Sequence, residues 1–247
     1  MSPSSPSFES IPSHKRVKTA ADAAHFIDCV GFCLLFPVKK VPLPSLYFAM
    51  GRRWPPEWDD DAKKLWRWKD ELPKKRRAFY GKYFKSRGTF LSLESLALLL
   101  AVRETAVAPG DYEPLYAAGL ISHDARAIWQ ALADLGPLPT LELRHACKME
   151  TQPGNKRFKK AILELQALLI VTHSGAEQET DSWASNRFAL VSRAFPQQLE
   201  QARRVTPDAA RRTLAAKYRK LYPRAPAAQV ARLFSWTNAQ AVAAVAL

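Results

Sequence analysis

Cysteine is scarce in this chain. Only Cys29, Cys33 and Cys147 occur in 247 residues. An odd, sparse set speaks against a disulfide framework and for a reducing compartment. Cys29 and Cys33 lie one helical turn apart, but no His or Cys pair completes a zinc site, so both are expected as small core side chains. The five histidines are scattered, without metal-ligand spacing. No metal and no cofactor is expected. Long apolar runs are also missing: those around 30–38 and 96–102 are too short to span a bilayer. The first follows His14-Lys15-Arg16, as a leader sequence would. Asp28 interrupts it and no small-residue cleavage pattern follows, so no signal peptide is expected. Acids are the third shortage, with 23 Asp and Glu against 37 Lys and Arg, a formal net charge of +14. That excess predicts attraction to polyanions, with nucleic acid ahead of an anionic membrane surface. A cytoplasmic, nucleoid-associated protein of unknown oligomeric state is expected.

What is present is a globular composition, 47% hydrophobic and 24% charged. The length allows one sizeable core or two to three small domains. Residues 120–192 carry the most information. Ser122 can cap a helix over 123–135, with Ala125, Ile128, Leu132 and Leu135 on one stripe. Gly136-Pro137-Leu138-Pro139 ends it. Thr140 starts a short second helix, and Pro153-Gly154 breaks the chain again. Asn155 is expected to cap a third helix over 156–168. Its Phe158, Ile162 and Leu165 face a core, with Lys156 and Lys160 opposite and Arg157 and Lys159 on the flanks. A strand over 169–172, a polar loop over 174–181 and a second strand over 187–192 complete the unit. Helix, turn, helix, basic helix and hairpin together predict a winged helix-turn-helix. Such a helix fits the major groove of duplex DNA, and the hairpin reaches the backbone. The competing reading is an ordinary solvated basic face.

The rest of the chain reads as variations on that unit. Residues 1–15, rich in Ser and Pro, are expected to be disordered. Thr19 and Asp22 form a capping-box-like start to a helix through about Leu35, with Ala23, Phe26, Ile27, Val30 and Leu34 buried and Pro37 ending it. Ser45 caps a short helix. An aromatic, proline-rich link covers 52–58, and a helix over 59–71 is expected to have Leu65, Trp66 and Trp68 partly buried before Pro73 stops it. A strand over 77–84 follows, then the turn Ser86-Arg87-Gly88, a strand over 89–91 and an apolar helix over 93–102. Lys82, Lys85 and Arg87 lie in this basic hairpin. Its aromatics Phe79, Tyr80, Tyr83 and Phe84 either stack on bases or form core. A linker spans 106–119. Phe195-Pro196 closes the second unit. Thr206-Pro207-Asp208 starts a helix to about Tyr222, and helices over 227–235 and 238–245 follow. The expected organisation is a tail (1–15), a first winged-helix domain (16–105), the linker, a second winged-helix domain (120–197) and an incomplete third helix-turn-helix unit (198–247). The fold class is mainly α with small β-hairpins, as tandem winged helix-turn-helix domains.

Three stretches, in order, resemble the tandem winged-helix family that includes interstrand-crosslink-repair DNA glycosylases (AlkZ/YcaQ-type). They are Val30-Gly31-Phe32-Cys33-Leu34-Leu35-Phe36-Pro37, Lys82-Tyr83-Phe84-Lys85-Ser86-Arg87-Gly88-Thr89-Phe90-Leu91, and residues 214–236 with Lys217-Tyr218 and Tyr222-Pro223. The resemblance covers about 17–247. It implies repeated winged helices curved around duplex DNA and removal of alkylated or crosslinked bases. The family uses a Gln and a Gln or Asp, one apolar residue apart, before a proline-containing turn. The corresponding positions here are Leu34 and Phe36, and neither can orient a water or stabilise a positive sugar. The family's carboxy-terminal barrel has no counterpart, so a shortened relative or an incomplete sequence is expected.

The leading expectation is a non-catalytic duplex-DNA binder related to repair. Lys82, Lys85 and Arg87 would contact the backbone beside Lys156, Arg157, Lys159 and Lys160. The alternatives are a glycosylase using Asp28 or His25, a winged-helix transcription regulator reading bases from 155–160, and an RNA or protein scaffold.

Overall fold

The computed structural model describes residues 16–103, 111–178 and 184–246. The first part runs α1 (Ala20–Val30), β1 (Phe32–Leu34), α2 (Leu46–Ala49), α3 (Asp60–Lys74), β2 (Phe79–Gly81), β3 (Thr89–Leu91) and α4 (Leu93–Arg103). After α5 (Glu113–Ala117) come α6 (His123–Leu135), β4 (Leu138–Pro139), α7 (Thr140–Ala146), α8 (Gln152–Ala167), β5 (Val171–Gln178) and β6 (Ala184–Leu190). Five helices close the chain: α9 (Val191–Ala194), α10 (Pro196–Arg203), α11 (Pro207–Leu221), α12 (Ala227–Phe234) and α13 (Asn238–Val245). The molecule is mainly helical, with two small antiparallel sheets. Their strand orders are β1-β3-β2 and β4-β6-β5. The sequence helix, strand, helix, helix, strand, strand therefore occurs twice, each time with its last strand in the middle of the sheet.

Local chemistry sets most helix starts. The Thr19 hydroxyl accepts the Asp22 N–H at 3.1 Å, and the Asp22 carboxylate accepts the Thr19 N–H at 3.0 Å, a reciprocal cap. Ser45, Ser122 and Thr206 cap α2, α6 and α11 in the expected way. Other expectations need correction. α1 stops at Val30 instead of continuing to Leu35. Gly31 takes φ 80°, and a Cβ there would stand 2.8 Å from the Ser95 hydroxyl oxygen. Phe32–Leu34 then pairs with β3, in the register Phe32–Leu91 and Leu34–Thr89.

Pro73 lies inside α3, where it removes one donor near the helix end, and the next turn still closes through Lys75 N–H to Glu71 O at 3.0 Å. α8 is capped by Thr151, with Pro153 in its first turn, where a missing N–H has no partner to lose. Asn155 is thus a helical residue. A Cβ on Gly154 would meet the Met149 backbone at 2.8 Å, so this turn requires glycine.

The second hairpin is longer than the sequence suggests. Leu169 takes φ 58°, which delays β5 to Val171, and pairing with β6 carries it through the polar residues Ser174–Gln178. β6 ends at Leu190, and Val191 begins a short helix. The strand expected over 77–84 contracts to Phe79–Gly81, and the expected linker contains α5. β4 and α10 have no counterpart in the sequence reading. The expectations for residues 1–15, 106–110 and 179–181 fall outside the described residues. Cys33 is buried as expected, but Cys29 is exposed, its sulfur 3.5 Å from His25 Nε2.

The largest core joins β1, β3 and α4 to α10–α13. The rings of Phe32, Phe84 and Phe234 form a triangle within it, with centroids 5.8, 5.6 and 5.6 Å apart. A second core lies between α1, α2 and α3, and a third holds α6–α8 to the β5–β6 hairpin.

The seam between the two sheets is polar. Lys69, 3% exposed, donates to Asn186 Oδ1 at 3.0 Å and to Asp70 at 2.5 Å. The Thr172 hydroxyl lies 3.1 Å from Tyr80 O, and Lys82 N–H donates to Gln166 Oε1 at 3.0 Å. His173 sits edge-on between the rings of Tyr80 and Phe188, each centroid 5.0 Å away.

Burial, aided by Lys69 and Lys82, pushes the His173 imidazole down from 6.5 to about 3. A histidine depressed in the fold is neutral there, while the unfolded chain protonates first. Its stabilisation is therefore full above about pH 6.5 and drains away as pH falls towards 3, by roughly 1.4 kcal/mol per pH unit. The thermal midpoint of the wild type is expected to drop between pH 7 and pH 4 more steeply than that of His173→Phe. Parallel pH profiles of the two proteins would exclude this role.

Candidate nucleic-acid interface

The turn between β2 and β3 is built from inside. Phe84 anchors it in the aromatic triangle. Thr89 Oγ1 accepts the Phe84 N–H at 3.2 Å and donates to Arg87 O at 2.8 Å. The four aromatics of the tract, Phe79, Tyr80, Tyr83 and Phe84, are all buried. Of the two readings of these rings, the core reading holds, and no ring face is left for a base. Lys82, Lys85 and Arg87 are exposed around them. Lys85 and Ser86 both take left-handed backbone, φ 50° and 56°. Neither is glycine, so the loop holds a conformation that local preference opposes.

Lys156, Arg157, Lys159 and Lys160 of α8 are exposed as well. The Gln166–Lys82 hydrogen bond fixes which side of α8 faces the turn, and residues 84–86 pack against both α8 and α12. Helical geometry then places the cations. Lys159 is seven residues before Gln166, so it falls about 20° round the helix and about 10 Å along it. Lys156 and Lys160 follow at about 80° and 120°, and Arg157 at about 180°. The three lysines form one arc beginning beside the turn, while Arg157 points elsewhere. Its Nε donates to Asp124 Oδ2 of α6 at 2.9 Å, and this bond holds the Asp124 carboxyl below its usual range. Among the described residues no acid pairs with Lys82, Lys85, Arg87, Lys156, Lys159 or Lys160.

Leu34 and Phe36 do not converge. Leu34 is fully buried in the core shared with α11–α13. The strand ends there, and Phe36 packs on the other core, its ring 5.6 Å from that of Tyr47. Leu35 N–H donates to Gly88 O at 2.9 Å, so both positions lie at the end of the sheet that carries the turn. Asp28 is at the opposite end. It lines an open cleft of about 430 Å³ with Arg76, Arg77, Ser92, Leu93 and Glu94. Burial raises its carboxyl pKa, and Arg77 and His25 oppose that rise. His25 is exposed on the same helix.

Among the described residues no group of three or more His, Cys, Asp or Glu could hold a metal ion, and no helix is long and apolar enough to cross a membrane. Sequence reasoning missed the exposure of Trp54, Trp58 and Trp66. The signal lay in the proline-rich link, which gives Trp54 and Trp58 no periodic apolar face to join.

A left-handed non-glycine residue costs roughly 1–2 kcal/mol, and glycine gives back about 0.5–1 kcal/mol through unfolded-chain entropy. Lys85→Gly is therefore expected to unfold at the same temperature as the wild type or a few degrees higher. A clear drop in midpoint would mean that the Lys85 side chain itself supports the fold.

Nothing among curated proteins matches this chain, and nothing among solved structures does. One family model does match, described as AlkZ related, and it covers residues 17–235, from just before α1 to just beyond α12. A match over so much of the sequence means that the chain belongs to the AlkZ-related family, a DNA-repair, glycosylase-like group.

Proposed function

We propose that this protein is a cytoplasmic, nucleoid-associated duplex-DNA binder in DNA repair, and that it lacks glycosylase chemistry. In this reading the two helix–strand–helix–helix–strand–strand units are tandem winged helices, with α3 and α8 in the position of recognition helices. The helices α11–α13 form a third helix-turn-helix unit. The observation that carries the reading is the Lys82–Gln166 hydrogen bond, which sets the 82–88 turn against the lysine arc of α8. Six cations without acidic partners among the described residues then line a path from the turn along the helix. Phosphates of one duplex provide matching charge, and their neutralisation releases counterions. Arg157 serves the α6–α8 joint in this scheme. A sequence-reading regulator would need base-edge contacts, and the arc offers lysines, which suit phosphates as point charges.

Catalysis is excluded from the proposal because the family's two positions are apolar and face different cores. The Asp28 cleft lies at the far end of the first sheet from the cationic turn, so a nucleotide held at the turn would not reach it.

Each phosphate contact contributes about −0.9 to the slope of log affinity against log salt, so six give roughly −5. Lys82→Ala/Lys85→Ala/Arg87→Ala and Lys156→Ala/Lys159→Ala/Lys160→Ala are each expected to lower that slope by about 2.7. Binding to a labelled duplex that hardly changes between low and moderate salt would sink the reading. Incubation with alkylated DNA is expected to yield no abasic sites above the background of protein-free controls. Abasic sites that disappear with Asp28→Asn would establish catalysis in the other cleft.

A further inference from the structure

The described aromatic side chains that stand well out in solvent lie close together in the chain. Trp54, Trp58 and Trp66 are 46%, 62% and 44% exposed. Indoles dominate buried surface in most folds, so three exposed within thirteen residues mark a surface with a partner. The scaffold beneath them is fixed. The Tyr47 hydroxyl accepts the Glu57 N–H at 2.9 Å, anchoring the loop, and Trp58 meets Trp66 of α3 edge to face at 5.8 Å. Lys39 lies 5.4 Å from the Trp54 ring centre, and Lys69 lies 4.7 Å from that of Trp66. The three aspartates that start α3 are already engaged. Asp59 and Asp61 pair with Arg52, Asp60 pairs with Lys63, and Asp61 also meets Lys64. Among the described residues no acid pairs with Lys39, Lys40, Arg53 or Arg67. The patch is linked to the base of the cationic turn, since the Phe36 ring packs at a tilt against Tyr47 and the Leu35 N–H is bound to Gly88 O.

We infer that Trp54, Trp58 and Trp66 form a stacking platform for unpaired DNA bases next to the duplex held by the 82–88 turn. Indole faces take any base, and the unpaired cations around them match the sugar-phosphate chain. A lipid surface fits less well. The indoles are interleaved with Glu57, Asp59, Asp60 and Asp61, so no continuous apolar face is available for insertion. This inference rests on the duplex-binding proposal and adds a class of substrate to it: DNA with a single-stranded gap, bulge or extruded base.

The test compares an intact duplex with the same duplex carrying a short single-stranded gap, by fluorescence anisotropy with the full chain. One stacked base is expected to make the gapped form bind at least about fivefold tighter. Trp54→Ala/Trp58→Ala/Trp66→Ala should abolish that preference and leave intact-duplex affinity unchanged. The corresponding Phe variant should keep most of the preference, and unfolding midpoints of both variants should match the wild type. Equal affinity for the two DNAs overturns the platform while the duplex proposal stands. Failure to bind either DNA overturns both. Tryptophan-dependent binding to phosphatidylglycerol vesicles without a gap preference assigns the patch to membranes and overturns the inference as well.

Discussion

The position of the Phe84 ring constrains much of the rest. It sits between Phe32 of the first strand and Phe234 of a carboxy-terminal helix, so the turn that carries Lys82, Lys85 and Arg87 is rooted in two distant parts of the chain at once. From the other side Gln166 holds the Lys82 amide. A turn clamped this way can maintain left-handed backbone at two residues that are not glycine. Aromatic pairs of this geometry contribute about 0.5–1.5 kcal/mol beyond burial, which is comparable to the strain they hold in place. The cationic tip is thereby presented by the core and does not depend on local preference.

The same arrangement explains how a formal charge of +14 becomes a directed surface. Many of the acids sit at helix starts or pair within their own helix, as Asp60 does with Lys63 and Glu71 with Lys75. Arg157 is tied to Asp124 and Arg187 to Glu177. The cations on the turn and on α8 that pair with no acid among the described residues are then neighbours because of the seam between the sheets. That seam is itself polar, with a buried lysine, a buried neutral histidine and a glutamine whose amide nitrogen has no partner among the protein atoms. Two elements joined this way are held in one register, because sliding would strand the Lys69 ammonium, the Thr172 hydroxyl and the Lys82 N–H.

How much of this was legible in the sequence follows from the range of the interactions involved. Thr19, Ser122 and Thr206 act on backbone three residues away, and their helices start where the residues say. The apolar stripe of Phe158, Ile162 and Leu165 is buried as its spacing requires. Errors occur where a distant partner decides. Phe32–Leu34 continues the apolar pattern of α1, but Gly31 turns the chain and β3 captures it as a strand. The polar residues after Val171 become strand because β6 lies alongside. The tract from Arg77 to Lys85 mixes bases with rings, which admits both a stacking surface and a core, and only distant partners separate them: Phe234 of α12 for Phe84, and His173 of β5 for Tyr80. Within the candidate site, the exposure of Lys82, Lys85, Arg87 and the α8 lysines could be read. The diversion of Arg157 to Asp124, and the apposition of the turn to α8, could not.

Leu34 and Phe36, which the proposal takes as the counterparts of the family's catalytic pair, are apolar as a consequence of packing as much as of chemistry. Leu34 ends its strand with its side chain inside the core that the carboxy-terminal helices cover. Placing a glutamine there would bury an amide without partners, at about 1–3 kcal/mol, and would still not bring it beside residue 36. Phe36 turns to the opposite core after the strand ends and rests on Tyr47. A polar pair that activates one water must face one space, and here the backbone directs the two side chains apart. A catalytic pair at these two positions would therefore need a different path for residues 34–37 as well as different side chains. That is why the proposed role rests on the cationic turn and the helix beside it, where the chain places exposed cations that pair with no acid among the described residues.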